Sequence, residues 1–229
     1  MTSVSSGFAD LGPLMTRMTG DEKHGPSATS TLDVLWVLYD RVLRVDPSRL
    51  DDPDRDRFLL SKGHGPMAYY AVLAAKGFLD PAALDGFGGY HSLLGHHPDR
   101  TLLPGVEIGA GSLGHGLGLA VGTALGLRIK SRTARVVVLT GDAELDEGSN
   151  VEAIQYAGRA GLDRLTAVVV DNDSTTTGWP GGIAARFAIE GWSTVDVDGH
   201  DHDQLERAFA AGTGDRPHAV VAHVEQKES

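Results

Sequence analysis

One stretch of this chain carries side chains suited to holding a cation against a phosphorylated group. Gly141-Asp142-Ala143-Glu144-Leu145-Asp146-Glu147-Gly148 follows the apolar run Val136 to Thr140, and Asn172 stands thirty residues after Asp142, just past a second apolar run, Leu165 to Val170. If both runs are neighbouring strands, they deliver a carboxylate and a carboxamide to one rim. Both groups are oxygen ligands, and Mg²⁺ takes six oxygens, typically one or two carboxylates with the remainder from phosphate and water. Asp142, Asn172, a backbone carbonyl near Ser174, two phosphate oxygens and a water complete such a set. A helix starting near Gly148 adds N–H donors for the anion. Asp171 and Asp173 flank the asparagine and substitute for it if the register is off by one. A plainer alternative stays open, in which Gly-Asp is only a strand-to-helix turn with an N-capping aspartate.

Histidines form the second group. His24, His64 and His97 lie in Lys23-His-Gly-Pro-Ser27, Ser61-Lys-Gly-His-Gly65 and Gly95-His-His-Pro-Asp99. Imidazole changes charge near neutral pH and can bind hydroxyls or move protons, although a histidine beside glycine is also a common turn residue. His91, His96 and His115 are weaker candidates, His96 being the adjacent rival of His97; His200 in Val-Asp-Gly-His-Asp reads as a turn before the last helix. Trp36, Trp179 and Trp192 read as core. One motif is a decoy. Gly109-Ala-Gly111-Ser-Leu-Gly114 matches G-x-G-x-x-G, but it lacks a solid preceding strand, and Ile129 to Arg135 offers basic residues where a ribose-binding acid is needed.

These residues need elements to position them. Thr31–Leu43, Met67–Leu79, Ser112–Lys130, Asn150–Arg159 and His202–Ala211 have helical patterning. Arg57–Leu60, Arg135–Thr140, Leu165–Val170, Trp192–Val197 and His218–Val224 read as strands, most of them apolar enough to be buried on both faces. Strands alternating with helices give an α/β fold, a parallel sheet flanked by helices on both faces, with ligands outside the carboxyl ends of the strands. Asp85 to Pro104 reads as a long loop of the functional kind. Gly114, Gly118, Gly122 and Gly126 recur every four residues, so they share one helical stripe. Each costs about 1 kcal/mol of helix stability. The stripe is expected to admit a flat ligand or a second backbone, across a subunit interface in one version, and the Gly114 N–H at the helix start is expected to point outward toward an anion.

Composition sets the outer bounds. The chain has 229 residues, 41% hydrophobic and 22% charged, a globular rather than a disordered balance. The pattern is expected to form one domain over residues 1–229. No cysteine is present, which excludes a disulfide scaffold, a zinc ribbon and a cysteine nucleophile. The net charge of −11 argues against nucleic acid and anionic membrane surfaces as partners. No apolar run approaches the roughly 20 residues that span a bilayer, and Met1 to Asp10 lacks the basic and apolar regions of a signal peptide. The expected location is the cytoplasm. Glycine, at 30 residues, is well above the usual ~7%, which points to tight turns and close backbone approaches.

The run G-D-A-E-L-D-E-G, followed by E-A and D-N-D, resembles the thiamine-diphosphate signature of the transketolase family. Lys23–Ser27, Ser61–Gly65, Gly95–Asp99 and Pro104-Gly-Val-Glu with Gly111-Ser-Leu-Gly-His-Gly116 agree with that family in order, so the resemblance covers about Gly20 to Val224. The pattern resembles the short amino-terminal half of split transketolases. The resemblance implies the thiamine-diphosphate-binding fold and thiamine diphosphate with Mg²⁺ as cofactors. It implies Asp142, Asn172 and the Ser174 carbonyl as metal ligands, and Gly111, Leu113, Gly114, Gly141, Asp142, Ala143 and Asn172 as cofactor contacts. His24, His64 and His97 fall where the family's substrate channel has histidines, and Glu147 and Glu152 match interface glutamates. The implied reaction moves a two-carbon ketol unit from a ketose, free or phosphorylated, to an aldose. The implied partner is a separate carboxyl-terminal subunit with the pyrimidine-binding domain, in a heterotetramer built on a dimer, without which the chain is inactive.

Three departures accompany the resemblance. Ala143 replaces glycine in the signature, Ser112 and His115 replace proline and glutamine beside Leu113 and Gly114, and the sequence given ends at Ser229, before the loop that in the family closes over the diphosphate. In the His24 motif, His-Gly-Pro replaces the more usual His-x-Gly-Gly. Two other functions fit the cofactor signature: a subunit of a thiamine-dependent decarboxylase or oxo-acid dehydrogenase, against which the His24 and His64 motifs argue, and a non-catalytic assembly or regulatory relative, against which Asp142 and Asn172 argue.

Overall fold

Five parallel strands form the sheet, the central ones from valine- and leucine-rich runs: β1 Arg57–Leu60, β2 Val136–Gly141, β3 Leu165–Asp171, β4 Ser193–Asp198 and β5 His218–His223. The computed structural model describes residues 7–19, 29–176, 178–212 and 214–224. The strands lie in the order β1-β2-β3-β5-β4. β2 and nearly all of β3 and β5 are buried, as a parallel sheet covered on both faces requires. The expected strands are found within a residue at each end.

Around the sheet run the helices α1 Leu11–Met15, α2 Leu32–Val37, α3 Met67–Ala75, α4 Gly116–Ile129, α5 Gly148–Arg159, α6 Gly182–Ala188 and α7 His202–Ala211. Side chains alternate across the strands, so the core divides in two. Phe58, Leu60, Val137, Leu139, Val168, Val170, Val220 and Ala222 face α2, α3 and α7. Leu59, Val136, Val138, Ala167, Val169, Ala219 and Val221 face α4, α5 and α6. Each buried valine or leucine contributes roughly 1.5–3 kcal/mol relative to exposure. Among the described residues no helix is long and apolar enough to cross a membrane.

Several expectations are corrected. The helix expected over Thr31–Leu43 is α-helical only to Val37; residues Leu38–Val42 form a wider π turn, closed by Leu43 N donating to Leu38 O at 2.8 Å. That turn places Tyr39 edge-on to Phe58 and brings its hydroxyl within 3.1 Å of that of Tyr69. α4 starts at Gly116 rather than Ser112, because Gly114 has φ 83°, a left-handed conformation that a helix cannot contain. α5 starts two residues early, at Gly148. The short helices α1 and α6 were not expected. Trp36 and Trp192 are buried, whereas Trp179 is only partly covered, against Arg186 at 5.0 Å.

Candidate active site

β2 and β3 deliver the metal-site candidates to one rim. Gly141 pairs with Val170, and Asp142 N donates to Val170 O at 3.1 Å, so Asp142 and Asn172 leave adjacent strands at nearly the same level. Both are buried. The backbone then folds back over Asp142. Its Oδ1 accepts from the Ser174 hydroxyl at 2.7 Å, and its Oδ2 accepts from the backbone N–H groups of Ser174 and, at 3.0 Å, Thr175. Asp146 fastens the same turn, accepting from the Thr175 hydroxyl at 3.1 Å and from the Thr176 backbone N–H at 3.2 Å.

Two features of this pocket fit a cation. Asp142 carries a buried negative charge whose hydrogen-bond donors are all neutral, and among the described residues it makes no ion pair. Asn172 Oδ1 is buried with no hydrogen-bond partner among them, a cost of about 1–3 kcal/mol that a bound cation removes. Among the described residues no group of three His, Cys, Asp or Glu side chains is placed to hold a metal. The candidate pair instead combines one carboxylate with one carboxamide and leaves the other positions to backbone, phosphate and water. The register also separates Asn172 from its neighbours. Asp171 ends β3 in an ion pair with His223 at 3.1 Å, and Asp173 is exposed with φ 58°.

The octapeptide holds a second buried carboxylate that sequence reasoning did not single out. Glu144 Oε1 accepts from the Ser61 hydroxyl and from Gly114 N at 2.9 Å, while Glu144 Oε2 has no partner among the described residues. Burial pushes this carboxyl up from its ordinary range, against hydrogen bonding from Ser61 and the backbone N–H groups of Gly114 and Gly141 and the nearby Lys62 ammonium. The buried stem of Lys62 packs over Gly141, and its Nζ lies 3.4 Å from Ser30 Oγ. The Gly114 N–H, expected to point outward toward an anion, is therefore spent on Glu144. The signal for this is not local: thirty residues separate donor and acceptor.

His64 and His97 come together, with ring centroids 6.4 Å apart and planes at 83°. His64 is half-buried and His97 exposed. Gly111 lies under the His97 ring, where a Cβ would sit 3.3 Å from Cδ2. A cleft of about 180 Å³ opens between Ser61, the 108–112 turn, His115 and Leu119. His24 falls outside the described residues. His96 turns away to meet Phe87 at 5.3 Å, His91 meets exposed Tyr90 edge-on, and His115 is an exposed helix cap. His200 lies in the turn before α7, as expected, bonded to Asp33 at 2.9 Å.

Leu113 and Ala143 are half-buried beside the same turn, and Glu147 and Glu152 are exposed on the first turns of α5. Gly118, Gly122 and Gly126 face open space, so among the described residues the stripe packs against nothing. A larger cleft, about 300 Å³, lies at the opposite end of the strands between Leu127, Arg132 and Asp163. Arg132 there pairs with Asp54 at 3.1 Å, and Arg128 and Arg164 donate to backbone carbonyls.

Comparison with known proteins bears on this arrangement. Residues 19–224 match the family described as transketolase, thiamine diphosphate binding domain. The protein named ferredoxin fas2 of Rhodococcoides fascians is 57% identical over 97% of this chain and 73% of its own length. The 229 residues here contain no cysteine, so they offer no thiolate for an iron–sulfur cluster. A protein of Phocaeicola vulgatus named as one of the subunits of an apulose-4-phosphate transketolase is 34% identical over 85% of this chain and 72% of its own length. Among solved structures, transketolase from Leishmania mexicana superposes with a TM-score of 0.76 at 25% identity, covering 95% of this chain but 36% of that one. The chain thus spans about a third of that whole transketolase, and it belongs to the transketolase family, of which it carries the amino-terminal, thiamine-diphosphate-binding domain.

Proposed function

We propose that this chain is the amino-terminal subunit of a split, thiamine-diphosphate-dependent transketolase-like enzyme. In this reading it transfers a two-carbon ketol unit from a ketose or ketose phosphate to an aldose acceptor. One observation carries the reading: a buried aspartate without a cationic partner beside an orphaned asparagine oxygen, at adjacent strand ends, in a chain of this family. Asp142, Asn172 and the Ser174 carbonyl hold Mg²⁺. Gly111, Leu113, Gly114, Gly141 and Ala143 line the cofactor seat, and residues 1–229 act as a single diphosphate-binding domain. Bound thiamine diphosphate supplies the carbanion chemistry that opens and remakes the carbon–carbon bond.

The protein's own residues bind and position. The Asp142 charge and the Asn172 dipole fix the metal and through it the diphosphate end. His64 and His97, with His24, hold substrate hydroxyls and move a proton at an imidazole nitrogen, a role that contributes about 10²–10⁴-fold. The exposed Glu147 and Glu152 meet the assembly partner. That partner is a carboxyl-terminal transketolase-like subunit with the pyrimidine-binding domain, in a heterotetramer built on a dimer. Support comes from the Phocaeicola vulgatus relative, whose name makes it one part of a divided transketolase. The proposal places the enzyme in the cytoplasm, where phosphorylated sugars are found.

The test is native purification from the source organism, with mass spectrometry of co-eluting polypeptides and bound small molecules. A second transketolase-like chain with thiamine diphosphate and Mg²⁺, and ketol transfer by the complex, is the expected result. A lone homodimer that takes up no thiamine diphosphate with Mg²⁺ sinks the catalytic reading. In an active complex, His97→Ala and His64→Ala should lower kcat by at least about tenfold. Their partial exposure predicts little change in stability.

A further inference from the structure

The Glu144 carboxylate joins the backbone arm that carries His64 to the turn on which the His97 ring rests. One arm leaves β1 as Ser61-Lys62-Gly63 and presents His64. The other is the Gly111–Gly116 turn, whose Gly111 lies under the His97 ring. Glu144 Oε1 accepts from Ser61 Oγ on the first arm and from Gly114 N, at 2.9 Å, on the second. Ser61 Oγ accepts in turn from Gly116 N at 3.0 Å. Glu144 is itself anchored, since Asn150 Nδ2 donates to its carbonyl at 2.6 Å, and Ser149 Oγ donates to Gly114 O at 2.8 Å. The arms also meet directly at two places, where Gly63 approaches Ala110 and Gly111, and where Gly116 approaches Ser61, so closely that any Cβ would collide. Those contacts set the spacing of the arms, and the Glu144 bonds fix the direction of the Ser61 hydroxyl and the Gly114 N–H between them.

Stability alone does not account for a carboxylate here. Glu144 and Ser61 are 2% and 3% exposed, and Glu144 Oε2 has no partner among the described residues. Leaving such an oxygen unsatisfied costs about 1–3 kcal/mol. What the carboxylate adds is direction, because the Ser61 hydroxyl and the Gly114 N–H must point at one oxygen.

We infer that Glu144 is a positioning residue, which through Ser61 and Gly114 sets His64 and His97 at their working separation. This rests on the reading of those histidines as substrate-facing groups. Glu144→Gln keeps an acceptor oxygen for both donors, whereas Glu144→Leu keeps volume and removes the acceptor. Two measurements decide. In the full chain without cofactor, at a temperature where both variants remain folded, the through-space NMR cross-peak between the His64 and His97 rings should persist in Glu144→Gln and vanish in Glu144→Leu. In the assembled enzyme, Glu144→Leu should lower kcat roughly 10- to 100-fold, the range expected for an ångström-scale misplacement, and Glu144→Gln should restore most of it.

A Glu144→Leu protein with the wild-type cross-peak and kcat overturns the inference, as does Glu144→Gln failing as badly as Glu144→Leu. Should Glu144→Leu not fold, Ser61→Ala takes its place: loss of the same cross-peak supports the inference, and its persistence overturns it. If the wild-type complex shows no ketol transfer, the functional reading fails, while the cross-peak comparison still decides the positioning role.

Discussion

Asp56 and Asp142 are both buried aspartates, one at each end of the β1–β2 pair, and their surroundings are opposite in kind. Asp56, at the amino ends, is saturated. Its Oδ1 accepts from Arg44 Nη2 at 2.9 Å and from Arg135 N at 2.9 Å, and its Oδ2 accepts from Arg44 N at 2.9 Å and Arg135 Nη2 at 2.6 Å. Burial pushes the Asp56 carboxyl up, but these hydrogen bonds outweigh it and hold the group below the ordinary carboxylate range. Asp142, at the carboxyl ends, accepts only neutral donors and has Asn172 Oδ1 and Glu144 Oε2 unsatisfied on nearby residues. The first arrangement closes its charge within the chain. The second leaves negative potential and acceptor capacity for something the chain does not contain. The difference teaches that burial of an acid does not mark a site; an unmet demand around it does.

The sharpest way to break the comparison is to remove each aspartate. Asp56→Ala leaves two guanidiniums and two backbone N–H groups without their acceptor. Loss of one member of a buried ion pair costs about 3–5 kcal/mol, and the partial exposure of Arg44 and Arg135 puts the expected value near the lower limit. Urea unfolding of the full chain measures it. Asp142→Asn keeps one acceptor oxygen for the Ser174 and Thr175 donors and should change stability by only about 1 kcal/mol. A larger loss for Asp142→Asn than for Asp56→Ala would mean that both ends are structural.

Ligand linkage is the next test. In the proposed enzyme, Mg²⁺ and thiamine diphosphate at 100 times the dissociation constant should stabilise the folded complex by about 2.7 kcal/mol, read as a rise in thermal midpoint. Asp142→Asn and Asn172→Ala should abolish the rise. A stability-matched variant at the other end of the sheet, such as Arg132→Ala, should leave it intact. Equal stabilisation of Asp142→Asn would remove Asp142 from the metal site.

The contrast between the two ends explains which parts were legible in the sequence. The strands could be read because Val136–Leu139 and Ala167–Val170 are continuous apolar runs, a local property. Asp142 and Asn172 could be read because their placement follows from where two such runs end. The Asp56–Arg44–Arg135 node could not, since its members are joined by tertiary contacts across 79 residues. Glu144 was hidden for the same reason: Ser61 and Gly114 reach it from 83 and 30 residues away. The glycine repeat was misread at its first member, because spacing reports a helical face but not the positive φ that keeps Gly114 outside the helix. Its other members face open space, and periodicity alone does not say what covers a stripe.

The smallest expected effect concerns pH. His218, at the amino end of β5, is buried with Nε2 3.0 Å from Ala208 O and Nδ1 3.1 Å from Ser193 Oγ. Burial lowers its pKa despite those hydrogen bonds. A group whose pKa is depressed on folding contributes stability above its unfolded value and loses it as pH falls through the folded one. For His218 the loss therefore begins below about pH 6.5. Asp56, also depressed, follows the same sign but gives way only below about pH 4. Stability of the full chain should thus fall in two steps on acidification, a shallow one from His218 and a steeper one from Asp56. Replacing His218 with Gln, which keeps polar atoms on the same side chain, should flatten only the first step in urea titrations between about pH 5 and 7. If the first step survives in His218→Gln, the amino end is not where that proton binds, and the division between a charge-closed end and an open one would need a titrating group elsewhere.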